Sequence, residues 1–595
     1  MKKYLYIYVA AVALVFIPEL RSQVVDTSAL QRSMIIEREY NPIVRDASKI
    51  NTLPQVDTPV PSKSAAEYSP WTTFRESAEM PVKVLGSATA GSTYPFTNQI
   101  GYLNFAGGNY MNLRGSAGLT YEGERDRVGL TFDHASTNGD IENNQYEGLK
   151  RKAKSMDNIG RLFYRHRFDP LDLKINLNYT HSSFNYYGVL FDPRLFSAPE
   201  DPKRLESQTH GNFKGSVGIA SRSEEDALEY SLNVGYAHFN KSIFPNPLHT
   251  NSKVSEGWVF MNGGVSVPFQ EVNRVGLDVD FNSFSYSNEL PEADSKRLGF
   301  GSYGVVGLNP FYNLSIDQLK MRLGARFEMG FNKGKSFMPS PDVKIDWQFT
   351  EGYTLFAHAG GGVEFLNFEA ADRMNRYISP MIRVDDEYVP VDGTFGIKGN
   401  VGYGFSFELF GGYKWYNNST FFLQTADEQF YNTSTYIDLK ANNFKVGGIL
   451  KYKYQQYVDL TVKLQKNNWS VNYRDEMEGI DVSGMEAKPF NKPDMEVNVG
   501  IDGHITPELS LSLNYYLGTN RWGGYLTDND TDDGVILHGV KMDNINELSI
   551  GAQYSFMKHF TINAKVNNLL NAKYDYLYGI PAQRLNFMVG AGVKF

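Results

Sequence analysis

The chain ends Arg584-Leu585-Asn586-Phe587-Met588-Val589-Gly590-Ala591-Gly592-Val593-Lys594-Phe595. Leu585, Phe587, Val589, Ala591, Val593 and Phe595 fall on one parity, and Asn586, Met588, Gly590, Gly592 and Lys594 on the other. Alternation of period two marks a strand, because successive side chains of an extended chain point to opposite faces. One face of this terminal strand is apolar throughout and the other is polar or small.

The same pattern recurs upstream. Leu171, Leu173, Ile175, Leu177 and Tyr179 alternate with Asp172, Lys174, Asn176, Asn178 and Thr180. Leu319 to Phe331, Met495 to Ile505 and Leu509 to Leu517 behave alike. A soluble sandwich would also alternate, so the connections decide. Working back from Phe595, short links fall at 557–558, 506–507, 455–457, 401–405, 350–353, 316–318, 269–273, 222–227, 168–171 and 123–126. Between them lie longer polar links at 570–583, 522–544, 470–494, 418–439, 369–392, 288–300, 242–254, 188–208 and 138–156, with a brief one at 333–336. Short turns at one end and long loops at the other are the signature of a transmembrane barrel. The expectation is an all-β fold: an antiparallel transmembrane β-barrel of about 22 strands over residues 98–595. The least regular strand candidates are 98–106, 393–400 and 406–417.

Composition agrees. The chain holds 38 Tyr, 39 Phe and 54 Gly in 595 residues, and its mean hydropathy is only −0.39, as expected when one residue in two is apolar. No internal stretch approaches the roughly 18 apolar residues of a spanning helix. Lys2 and Lys3 precede the apolar run Tyr4–Ile17, Pro18 ends it, and Leu20-Arg21-Ser22 offers a cleavage site, so 1–22 reads as a signal peptide. Residues 23–97, rich in proline, read as an extended periplasmic or luminal segment. The absence of cysteine excludes disulfides, thiolate metal sites, cysteine nucleophiles and a lipoprotein anchor. A net charge of −9 spread along the chain argues against a nucleic-acid partner.

Two segments carry a family resemblance. Val566-Asn567-Asn568-Leu569-Leu570-Asn571-Ala572-Lys573-Tyr574 is similar to the N-L-F-N-x-x-Y element before the last strand of TonB-dependent receptors. Gly396-Ile397-Lys398-Gly399 resembles their E-x-G-x-K strand, with Thr394 in place of the acidic residue. The closing strand ending on Phe595 looks like the sorting signal of bacterial outer-membrane barrels, and the composition resembles Bacteroidota-type members. The resemblance implies a cell outer-membrane location, assembly by the barrel assembly machinery, contact with membrane lipid and lipopolysaccharide, and solute uptake or gating. It also places the short turns in the periplasm. The chain departs from the family ahead of the barrel, where 23–97 is too short for a full plug domain. Met34, Ile35, Ile36, Glu37 and Arg38 resemble a TonB box, an extended strand that adds to the edge of TonB; the other reading is a segment packed on the barrel. A scaffold or partner subunit of an envelope assembly is the alternative function.

Few motifs point to chemistry. Asp528, Asp530, Asp532 and Asp533 gather oxygen donors suited to Ca²⁺ in an outer loop, without the EF-hand pattern; a solvated acidic loop is the competing reading. No other cofactor is implied. Lys150, Arg151, Lys152 and Lys154 form a basic run in the first long outer loop, suited to lipopolysaccharide phosphates or simply to solvent. Gly330 to Ser336 has the wrong spacing for a phosphate loop and no following helix. The histidines show no metal spacing and no nucleophile elbow exists, so an enzyme is not expected. Trp258, Trp347, Trp415, Trp469 and Trp522 lie near strand ends and read as an interfacial aromatic girdle.

Overall fold

The computed structural model describes residues 100–595 except 192–207, 223–227, 244–251, 270–272, 289–300, 333, 380–385, 428–429, 475–479, 483, 529–533 and 558. The signal peptide, the segment 23–97 and the residues Met34 to Arg38 lie outside the described residues, as do Asp530, Asp532 and Asp533.

The described chain is a closed antiparallel barrel of 22 strands. Each strand pairs with its neighbours in sequence order, from Gly101–Gly108 round to Asn586–Lys594. The first and last strands then pair with each other, Leu103 opposite Val593 and Phe105 opposite Ala591. Phe595 completes the seam: its carbonyl accepts from the amides of Ile100 (2.7 Å) and Gly101 (2.8 Å), and its own amide donates to Gly101 (2.9 Å). Closure leaves no unpaired edge, which is what allows a sheet to stand in hydrocarbon.

The terminal strand shows which way the faces point. Phe587 and Val589 are 48% and 55% exposed, whereas Met588 between them is 2% exposed. Leu103 and Phe105 beside them on the first strand are also exposed. Apolar side chains turned outward around a ring are explained by lipid, and the polar parity lines the interior. The described short links are at one end of the barrel, together with both ends of the described chain. Tyr403 and Gly404 form one of them, a two-residue turn with φ of 52° and 79°. A Cβ on Gly404 would strike the Lys453 carbonyl, so only glycine fits there. The three irregular candidates are all strands: Gly101–Gly108, Glu387–Gly402 and Phe405–Asp427.

At the opposite end the expected loops are partly sheet. Residues 418–439 continue the strands Phe405–Asp427 and Phe430–Tyr454, of 23 and 25 residues. Crossing a bilayer takes roughly 9–11 residues, so about half of this hairpin stands beyond the lipid. The hairpin Arg521–Asp528/Val535–Met542 replaces most of 522–544 and joins the long hairpin through parallel pairing of Tyr525–Thr527 with Gln424–Ala426. Phe421, Leu423, Ile437, Leu439 and Phe490, all at most 3% exposed, form a dry core between these pieces. Apolar burial against other loops, invisible in a local polarity count, explains the difference. The basic run is likewise strand rather than loop: Lys150, Arg151, Lys152 and Lys154 begin Lys150–Arg167.

The tryptophans divide. Trp347 and Trp415, 48% and 47% exposed, face outward as expected of a girdle. Trp258, Trp469 and Trp522 do not. Trp258 stacks on Phe284 inside the barrel, Trp469 packs on Tyr416 and Phe421, and Trp522 packs against the outer core. Position near a strand end fixes height but not parity, and parity decides the face.

Candidate functional site: the barrel interior and its outer mouth

The interior encloses about 3540 Å³, lined mainly by the polar parity of the strands. Binding pockets that surround one small ligand run about 300–1,000 Å³, so this space is several times larger than such a pocket. Its charges are both signs and largely paired: Arg161 with Asp133 at 2.6 Å, Lys398 with Asp346 at 2.9 Å and Lys414 with Glu364 at 2.6 Å. Arg322 bridges Asp278 and Asp342, each at 2.6 Å. The wall is therefore polar and close to neutral in local charge.

The outer mouth is narrowed by the link between Tyr353–Glu364 and Glu387–Gly402. It carries the short helix Phe368–Met374, capped by Asn367, whose side chain accepts from the Ala370 amide at 3.2 Å. Glu256 on the strand Ser252–Phe269 holds the same helix end, accepting from Asn367 Nδ2 at 2.6 Å and from the Phe368 amide at 2.7 Å. Phe368, Ala371 and Ile378 pack on Phe239 and Val254 of the wall, all at most 3% exposed. On the other side Ser379 donates to the Ser434 carbonyl at 2.7 Å and the Ser434 amide to Tyr377 at 2.9 Å. The strands bearing Phe239 and Ser434 are the seventh and sixteenth of the ring, so the segment bridges distant parts of it.

A buried ionic lock fixes this bridge. Lys241, 0% exposed, donates to Asp372 Oδ1 at 2.7 Å and to the carbonyls of Arg376 and Ile378, each at 2.9 Å. Three acceptors match the three protons of an ammonium, the condition under which a charge tolerates burial. His210 Nδ1 lies 3.1 Å from the other Asp372 oxygen, out of line for a hydrogen bond. Arg376 reaches Asp157 with Nη2 at 3.1 and 3.3 Å from the two carboxylate oxygens. Tyr377 sits among Phe184, Tyr186 and Tyr187, and burial pushes its hydroxyl above the ordinary tyrosine range, so it stays protonated. Neither the helix nor the lock was legible in sequence, because Asp372 and Lys241 are 131 residues apart and no motif links them.

Other singled-out residues fall in different places. Asp528 ends the strand Arg521–Asp528; its three partners in the acidic run are not described. Lys398 of the Gly396–Gly399 segment points inward to Asp346, and a Cβ on Gly396 would strike the Leu409 carbonyl and crowd the Phe356 ring. The Val566–Tyr574 segment is a turn device. Asn568 and Asn571 adopt φ of 46° and 51°, and the Asn568 side chain accepts from and donates to Ala572, both at 2.9 Å. Tyr574, 2% exposed, donates to Glu547 at 2.7 Å. Asparagine tolerates the left-handed region by bonding to its own backbone, which gives this element its residue types. Gly330 to Ser336 links two antiparallel strands, as expected of a segment that is no phosphate loop.

With this geometry in view, comparison with solved structures is informative. The FrpB iron transporter from Neisseria meningitidis superposes with a TM-score of 0.61 at 10% identity, over 84% of this chain and 82% of that one. The siderophore receptor PirA from Acinetobacter baumannii gives 0.60 at 13% identity, over 83% and 80%. A mutant of the ferric enterobactin receptor PfeA from Pseudomonas aeruginosa gives 0.59 at 12% identity, over 83% and 80%. The barrel has the fold of the TonB-dependent receptors. At such identities the likeness is one of fold. No family model matches the sequence, and no curated protein does.

Proposed function

We propose that this TonB-dependent-receptor-like barrel resides in the outer membrane and passes a solute through its interior, with the bridge at 365–379 narrowing the outer mouth. The observation that carries this reading is the closed ring of 22 strands around about 3540 Å³ of polar, charge-balanced space. Ferric chelates are the first solutes to test, since the barrels that share this fold include a siderophore receptor and an iron transporter. The role is non-enzymatic, and export by the signal peptide and folding by the barrel assembly machinery belong to the same proposal. So do coupling to TonB through Met34 to Arg38 and Ca²⁺ binding by Asp528, Asp530, Asp532 and Asp533.

A second reading, a scaffold for other envelope proteins, is favoured by the dry core outside the lipid and by the buried lock, which together make the outer end rigid. Planar-bilayer recording separates the two. On the transport reading, full-length protein is silent or flickers, and removal of 23–80 yields stable pores. Unbroken silence from both proteins favours the scaffold.

A further inference from the structure

The outward face of three adjacent strands carries an arrangement that solute passage does not use. These are Asp126–Glu142, Lys150–Arg167 and Leu171–Phe184, paired without a break in register. Reading up their outward parity, Leu130, Leu162 and Leu177 form one row, and Phe132, Gly160 and Tyr179 the next. Leu130, Phe132 and Tyr179 are 48–54% exposed, so these rows face lipid. The row above is polar: His134, Asn158 and His181, with His134 Nδ1 2.8 Å from Asn158 Oδ1. The apolar belt therefore ends between those two rows.

Above that limit Lys154, Lys152 and Lys150 continue the outward parity of a single strand, while Ala153 and Ser155 on the other parity are buried toward the interior. Alternate residues stand about 6.6 Å apart, so the three ammonium stems span about 13 Å. Their cross-strand neighbours are Asn138, Asp140 and Glu142. Glu142 is held by Arg584 at 3.2 Å, and among the described residues none of the three lysines forms an ion pair. Of their cross-strand neighbours Asp140 alone is left to offset them, so this stretch of strand is cationic. Met156, the apolar residue on the same parity next to Lys154, is partly buried.

We infer that this face binds the anionic inner sugar and phosphate groups of lipopolysaccharide. Height selects the partner. Lys154 lies four residues beyond Asn158, about 13 Å along the strand and about 10 Å above the belt's edge at the usual tilt of roughly 40°. A glycerophospholipid headgroup stays near the edge, whereas the charged sugars of a lipopolysaccharide reach this level. Attraction between lysines and an anionic membrane surface supplies the affinity. The inference uses the outer-membrane reading and the orientation with short turns in the periplasm, and is independent of transport.

The test is titration of the full-length, detergent-folded protein with fluorescent rough-type lipopolysaccharide, beside the same lipid after phosphate removal. K150E/K152E/K154E is expected to weaken binding of the phosphorylated lipid at least about tenfold. K253E/K440E/K466E, which changes three cations on separate strands, should leave it within about twofold. Both must show a folded band on unboiled gels; if the glutamate triple does not, K150Q/K152Q/K154Q is read instead. Unchanged affinity in the first triple, equal loss in the second, or equal binding of the dephosphorylated lipid overturns the assignment.

Discussion

Asp372→Ala is expected to free the bridge from the mouth of the barrel while leaving the barrel itself assembled. The substitution strands the Lys241 ammonium, 0% exposed, with two carbonyls and no counter-charge. Removing one partner of a buried pair costs about 3–5 kcal/mol. That penalty falls on a segment held otherwise by the apolar contact with Phe239 and Val254, the Glu256 cap, the Arg376–Asp157 pair and the backbone bonds to Ser434. The 22-strand ladder gains or loses nothing, so a heat-resistant folded band should persist. Protease added to the folded protein should then cut between 365 and 386 much faster than in the parent. Lys241→Met combined with Asp372→Leu should restore most of the protection, since replacing a buried pair by apolar side chains of similar volume is often neutral. Equal cleavage of parent and Asp372→Ala would show that the lock does not hold the bridge.

Val499→Arg is expected to block assembly altogether. Val499 lies mid-strand between Val462 and Tyr515, on the outward parity shared by the exposed Leu464 and Leu511. An arginine there meets lipid at a cost of roughly 2–4 kcal/mol near the midplane. Asn498→Arg, one residue away, enters the hydrated interior next to Lys463 and Tyr516, where water solvates the added charge. Membrane fractions should contain the second variant as a band that migrates differently before and after boiling, and little of the first. Equal folded levels of both would reverse the assignment of faces.

These expectations draw on what was legible in the sequence. Strand parity needs only local residues, so the faces of Asn586–Lys594 and Met495–His504 could be read directly, as could the short turns that separate strand pairs. The count of strands followed from those turns. What the sequence hid depends on distant partners. The segment 418–439 reads as loop because Asn417, Asn418, Ser419 and Thr420 interrupt the apolar pattern, and its core is completed by Val389, Phe490, Leu526 and Leu537, brought in from other links. The bridge at the mouth hid for the same reason: Asp372 is one more loop carboxylate until Lys241 is placed against it. Trp258 shows the converse limit, a residue whose parity already pointed inward and whose type suggested an interface instead.

Single-channel conductance with the bridge intact and excised tests the central claim most directly. The recordings compare the protein lacking 23–80 with one in which 367–378 is also replaced by a short Gly-Ser link, both folded and reconstituted in planar bilayers. A passage narrowed at its outer mouth predicts stable openings from the first and openings several-fold larger from the second, because the helix Phe368–Met374 and Arg376 no longer occupy the interior. Silence from both proteins, each shown to be inserted by its heat-modifiable band, would contradict a solute-conducting barrel.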